Sequence, residues 1–218
     1  MQNLVILISG RGSNMVAIAQ ACRDQGWPAR VVAVFAHRAD APGVAAARAL
    51  GLPVEVVESA GRADREAFDA ELAARIEAHR PDLVVLAGYM RILSGAFVAR
   101  FAGRLVNIHP SLLPAFPGLH THRRALAAGV KIHGATVHLV TGALDDGPIL
   151  AQAAVPVLPG DDEDALAARV LRVEHRLYPA ALREWLEGRL RLDGTRVVPR
   201  GNAGGESQLL LDEELAAR

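Results

Sequence analysis

Leu4-Val5-Ile6-Leu7-Ile8, followed through Ser9 by Gly10-Arg11-Gly12-Ser13-Asn14, is the stretch that decides the fold. Five apolar residues in a row show no alternation, so this strand is expected to be buried on both faces. The glycines allow a tight turn, and a helix is expected from about Met15 to Asp24. The same rhythm then repeats. Val31–Phe35 reads as a strand, Pro42–Leu50 as a helix closed by Gly51, and Val54–Val57 as a short strand. Asp64 reads as an N-cap for an amphipathic helix over Arg65–His79, with Phe68, Leu72 and Ile76 at spacing four and Pro81 as its stop. Leu83–Ala87 and Arg104–His109 read as further strands. Apolar strands separated by helices imply a parallel sheet covered on both faces.

After residue 110 the rhythm changes. A Pro-rich loop spans Pro110–Pro117, and two strand-like runs, His133–Val140 and Ile149–Val157, have no long helix between them. That pattern reads as an antiparallel or mixed extension of the sheet. Asp161-Asp162-Glu163-Asp164 supplies caps for a last helix, striped by Leu166, Val170, Val173 and Leu177 and expected to kink or end at Pro179. The expected class is therefore α/β: a Rossmann-like, mostly parallel twisted sheet with helices on both faces and a mixed C-terminal extension. Residues 1–200 are read as one domain, its first half (about 1–105) meeting a phosphate and its second completing the site. Residues 201–218 are read as a flexible tail in which Leu209–Leu211 either docks or does not.

Composition narrows the function. The chain has 218 residues, with 24 Lys+Arg against 24 Asp+Glu, 51% hydrophobic and 4% aromatic residues. Zero net charge gives no whole-molecule field for nucleic acid, and aromatics are too few for a base-stacking platform. One Cys excludes a disulfide framework and a cysteine-cluster zinc site, and fits a reducing, cytoplasmic setting. Leu4–Ile8 is too short for a signal sequence, and no run nears the roughly 18 apolar residues of a membrane span.

Three motifs carry candidate chemistry. Gly10-Arg11-Gly12-Ser13-Asn14 offers free amides at a helix N-terminus, which attract an anion. Met15 stands where a dinucleotide fingerprint needs a third small residue, Phe35-Ala36-His37 supplies no acid, and no P-loop lysine follows. A single phosphate fits best, beside the plainer reading of a capped strand–helix turn. In Asn107-Ile108-His109-Pro110-Ser111, positions 107 and 109 face the same side of a strand near its carboxyl end. An amide and an imidazole there can stabilise an oxyanion and move a proton, although a strand-end Asn and a surface His give the same pattern. Leu144-Asp145-Asp146-Gly147-Pro148 is an acidic turn; a carboxylate brought beside His109 would favour its protonated form. His120-Thr121-His122 lacks the further ligands a metal needs, and Ser13 and Ser111 lack a nucleophile elbow. Cys22 reads as a small buried hydrophobe. His37, His79 and His133 read as surface or strand-end histidines.

Taken together, Val5–Asn14, Val85–Leu93, Asn107–Pro114, Pro117–His122, His133–His138, Leu144–Pro148 and Val173–Pro179 resemble the folate-dependent glycinamide ribonucleotide formyltransferases, over roughly residues 3 to 200. The resemblance implies transfer of formyl from 10-formyltetrahydrofolate, a co-substrate, to the amine of phosphoribosylglycinamide in purine synthesis, with no metal. It implies catalysis by Asn107, His109 and Asp145, and ribonucleotide binding by Gly12, Ser13, Asn14, Gly88 and Glu174. The folate would meet Arg65, Met90, Arg91, Ile92, Leu93, Asn107, Val140 and Asp145. Arg11, Tyr89 and Asp146 depart from the commoner pattern. Asp146 beside Asp145 leaves two carboxylates for one role, and the following Gly-Pro selects Asp145. The implied partners are small molecules, with the protein a monomer or homodimer. A tRNA formyltransferase would want a basic C-terminal domain, and a formyltetrahydrofolate hydrolase an N-terminal regulatory one; neither is expected. A nucleotide-binding module that is not an enzyme would have no reason to combine Asn107, His109 and Asp145.

Overall fold

The computed structural model describes residues 1–62, 64–201 and 209–211, the last three by backbone alone. The chain divides into two compact units: Met1–Asn107 with Val140–Gly142, and Ile108–Leu139 with Ala143–Arg218.

In the first unit the order is β1 (Gln2–Ile8), α1 (Ser13–Asp24), β2 (Ala29–Ala36), α2 (Pro42–Ala49), β3 (Val54–Val56), α3 (Arg65–Ala78), β4 (Leu83–Leu86), α4 (Gly95–Arg100) and the start of β5 (Leu105–His109). The strands are parallel in the order β3-β2-β1-β4-β5. β1 lies centrally, and Leu4 to Ile8 are wholly buried, as an unbroken apolar run requires. Register sets Asn107 opposite Leu86, at the carboxyl ends of β5 and β4. Asp64 caps α3 by accepting from the Ala67 amide at 3.0 Å, a contribution of about 1 kcal/mol. Phe68, Leu72 and Ile76 face the core alongside Phe97 of α4. α4 escapes the sequence reading because it is six residues long, too short to show a period.

The second unit holds α5 (Thr121–Ala127), β6 (Ile132–Leu139), β7 (Ile149–Pro156), α6 (Glu163–Leu186), β8 (Leu190–Asp193), β9 (Arg196–Pro199) and β10 (Leu209–Leu211). β6 and β7 are antiparallel, and β10 pairs parallel with β7, opposite Gln152–Ala154. The expected mixed extension is thus present, and Leu209–Leu211 docks. The rest of the expected tail, 202–208 and 212–218, lies outside the described residues. β8 and β9 form a hairpin turning at Gly194-Thr195, with Gly194 at φ 60° in the first turn position, where a tight hairpin favours glycine.

α6 does not end at Pro179: the helix runs through it to Leu186. An internal proline costs about 3 kcal/mol. Beyond it, Ala181, Leu182 and Leu186 are buried, with Tyr178 just before. Each large apolar side chain among them contributes about 1.5–3 kcal/mol by burial, which outweighs the break. The start of the helix is fixed by the Asp162 carboxylate, which accepts from Ala165 N at 2.8 Å. The Arg169 guanidinium reaches back to Asp161 at 2.5 and 2.9 Å.

Candidate active site

The glycine loop opens α1. Gly12 takes the left-handed conformation, φ 72°, at the N-cap; Ser13 and Asn14 begin the helix, and Asn14 is buried. The loop is backed by α2. Gly43 N donates to Gly10 O at 2.9 Å, and a Cβ on Gly43 would stand 2.7 Å from Ile8 Cδ1 and 2.8 Å from Gly10 O. Only glycine lets α2 approach this closely. Helix N-termini of this kind favour anions through their free amides.

The turn after β4 begins at Gly88, φ 75°. Met90 and Ile92 project into solvent, 77% and 69% exposed. The Arg91 guanidinium lies over the Phe68 ring at 4.4 Å, and Leu93 packs on the core. Ser94 N donates to Asp69 Oδ2 at 2.6 Å, and Met90 N to Ser9 Oγ at 2.8 Å. Exposed Arg65 is the first residue of α3. Half-buried Val140 donates its amide to Leu105 O at 2.8 Å.

β5 carries two of the residues expected from the sequence at its carboxyl end. Asn107 and His109 lie two apart on it and share a side of the strand; Asn107 closes the first unit, while His109 belongs to the second. His109 is 6% exposed. Its Nε2 is 3.0 Å from the Phe116 carbonyl, which can only accept, so Nε2 carries a proton. Its Nδ1 lies 3.4 Å from Asp145 Oδ2, an ion-pair distance just beyond hydrogen bonding. Asp145 itself sits at φ 51°, and its Oδ2 accepts from Gly118 N at 2.8 Å. Asp146 points to solvent, so of the two adjacent carboxylates Asp145 is the one beside His109. Glu174 is buried on α6.

Several participants are missing from the sequence reading. Phe116 O and Gly118 N orient His109 and Asp145 through the backbone, which no residue type announces. Ser111 and Thr136 support the loop after β5: Thr136 Oγ1 donates to Ser111 O at 2.7 Å and accepts from Leu113 N at 3.0 Å. His133 needs correction. It stands near the start of β6 but is 1% exposed, its ring edge-on to His122 and Phe116 at 5.3 and 5.9 Å. Burial chiefly, with His122 and His109 nearby, pushes it down to about 4. His37 and His79 are half-buried and partnered, to Ser9 and Ser59 and to Glu55 respectively. Cys22 is buried as expected, its thiol 3.1 Å from Ala29 O.

Residues 2–182 match the formyl transferase family. The chain is 50% identical over 211 residues to phosphoribosylglycinamide formyltransferase of Escherichia coli (strain K12), covering 94% of this chain and all of that one. It is 48% identical over 189 residues to a trifunctional purine biosynthetic protein adenosine-3 of Drosophila melanogaster, covering 86% of this chain and 14% of that one. The crystal structure of glycinamide ribonucleotide transformylase 1 from Symbiobacterium toebii superposes with a TM-score of 0.88 at 50% identity, covering 91% of this chain and 94% of that one.

Proposed function

The chain belongs to the formyl transferase family, and from that premise we propose that it moves the formyl group of 10-formyltetrahydrofolate onto the amine of phosphoribosylglycinamide. It is a transferase whose relatives serve purine biosynthesis. Its family takes formyl from a folate-type donor. Among the described residues no helix is long and apolar enough to cross a membrane.

The observation that carries the reading is the His109 ring, held with Nδ1 toward Asp145 and Nε2 protonated, two residues along the strand from Asn107. In the proposed reaction the amine nitrogen bonds to the formyl carbon, and the carbonyl electron pair moves onto oxygen. Asn107 and His109 donate to that oxyanion. Collapse of the adduct breaks the bond from carbon to the folate nitrogen; the amine gives up a proton and the folate nitrogen gains one, with His109 as carrier. Asp145 favours a proton on Nδ1, so that the ring can donate from both nitrogens. To reach the formyl oxygen, the Nε2 proton leaves the Phe116 carbonyl. Amides of Gly12, Ser13 and Asn14 receive the ribonucleotide phosphate, and Gly88 and Glu174 meet its ribose and glycinamide parts. Arg65, Met90 to Leu93 and Val140 line the folate site, the apolar Met90 and Ile92 offering surface to the pterin.

An assay following tetrahydrofolate release tests the reading. Turnover is expected with phosphoribosylglycinamide; turnover only with water or aminoacyl-tRNA overturns it. His109→Ala is expected to lower kcat on the order of 10²–10⁴. A loss below about tenfold removes His109 from the chemistry.

A further inference from the structure

The turn from Gly88 to Leu93 belongs to no helix or strand, yet it carries four of the eight residues assigned above to the folate. Its hold on the rest of the unit passes through a histidine for which that reaction has no use. Met90 N donates to Ser9 Oγ at 2.8 Å. The Ser9 hydroxyl keeps its own proton free to donate, and His37 Nε2 is 2.9 Å away. Across the ring, Nδ1 stands 3.2 Å from Ser59 Oγ, and the Ser59 hydroxyl donates to the His37 carbonyl at 3.4 Å. The Ser59 end sets the form of the ring: its hydroxyl proton goes to the His37 carbonyl, so Nδ1–H donates to Ser59, and in the neutral ring Nε2 then accepts from Ser9. The neutral ring with its proton on Nδ1 satisfies every donor at once. Burial, with the Arg91 and Arg38 guanidiniums nearby, holds His37 below the ordinary histidine range and so keeps it neutral. The same ring meets Tyr89 edge-on, with centroids 5.7 Å apart and planes at 85°.

We propose that His37 is a positioning residue for the formyl donor: through Ser9 it fixes the Met90 amide, and through its ring edge Tyr89, so that the turn holds its folate-receiving shape before the ligand arrives. The proposal rests on the reading that Met90 to Leu93 line the folate site. A turn already fixed loses less conformational freedom when a ligand docks on it, which raises affinity without adding a contact. Ser59, just beyond β3, ties the relay to the far side of β2, so the turn inherits the rigidity of the parallel sheet.

The test compares His37→Leu, which removes both ring nitrogens, with His37→Gln, whose side-chain oxygen can accept from Ser9. In the full-length chain, amide exchange at Met90, read by NMR, is expected to rise about tenfold in His37→Leu and to recover in His37→Gln. The KM for 10-formyltetrahydrofolate is expected to rise roughly five- to tenfold in His37→Leu, the scale of one hydrogen bond. The KM for phosphoribosylglycinamide and kcat stay near their starting values. Unchanged exchange at Met90 overturns the proposal. So does raised exchange with an unchanged folate KM, and so does a parallel rise in both KM values, which would mean general loosening. Ile92→Asp separates this from failure of the folate assignment, because it changes an exposed side chain of the turn directly. If Ile92→Asp raises the folate KM and His37→Leu does not, the positioning role alone is wrong. If neither does, the turn is not the folate site.

Discussion

Asp145 shows how much one residue does here. A single carboxylate oxygen accepts from Gly118 N and stands beside His109 Nδ1, on a backbone at φ 51°. That conformation is uncommon outside glycine and is tolerated best by Asp and Asn. Asp145→Asn therefore keeps the backbone and an acceptor for Gly118 while removing the charge. It is expected to lower kcat by about 10² with the melting temperature nearly unchanged, whereas Asp145→Ala lowers both. Asp146→Asn is expected to leave kcat near wild type; steady-state rates and thermal melts of the three variants check the set. An Asp146→Asn loss as large as that of Asp145→Asn would reverse the assignment. Adjacent aspartates look alike in a sequence, and only the following Gly-Pro favours Asp145. The backbone groups that orient the pair are unreadable there, since every residue has an amide and a carbonyl.

Among elements, the contact of α2 with the glycine loop is the most constrained. Gly43 has no room for a methyl group, with Ile8 Cδ1 and Gly10 O inside 3 Å of the place it would occupy. Gly43→Ala is expected to destabilise by about 1–3 kcal/mol and to raise the KM for the ribonucleotide more than that for the folate. A melt and two substrate titrations would check it; equal rises in the two KM values would count against a phosphate role for the glycine loop. Long periodic elements were legible from the sequence, because β1 and α3 bury residues in runs and at spacings that nothing else explains. Short or overruled ones were not: α4 spans under two turns, and α6 continues past Pro179 because the apolar residues beyond it are worth more buried than the break costs. The β8–β9 hairpin has a glycine in its turn but only four residues in each strand, too few to announce it by pattern. Gly43, in turn, looks like any helix residue until the loop it touches is in place.

On the scale of the whole molecule, the buried histidines set the response to acid. His133 is pushed down to about 4, and burial also lowers His122, His138 and His175, all in the second unit. A histidine in the unfolded chain titrates near 6.5. Between those values the unfolded chain binds more protons, so stability is full above about pH 6.5 and falls as pH drops toward 4. His133 alone accounts for a loss of up to about 3 kcal/mol across that window. Denaturant melts at pH 7 and pH 5 should show the fall, and His133→Leu should flatten it; an unchanged slope would mean that His133 is protonated in the folded state. The first unit is not continuous in the chain: it runs to Asn107, then resumes for Val140–Gly142, where Val140 N meets Leu105 O. A ribosome that has released Asn107 has therefore not yet supplied all of that unit. The whole of Ile108–Leu139 must be synthesised before the Leu105 carbonyl can find its donor. The first unit thus cannot close in the order it is translated, and a gene fragment ending at codon 107 would encode a sheet with its last strand lacking that partner.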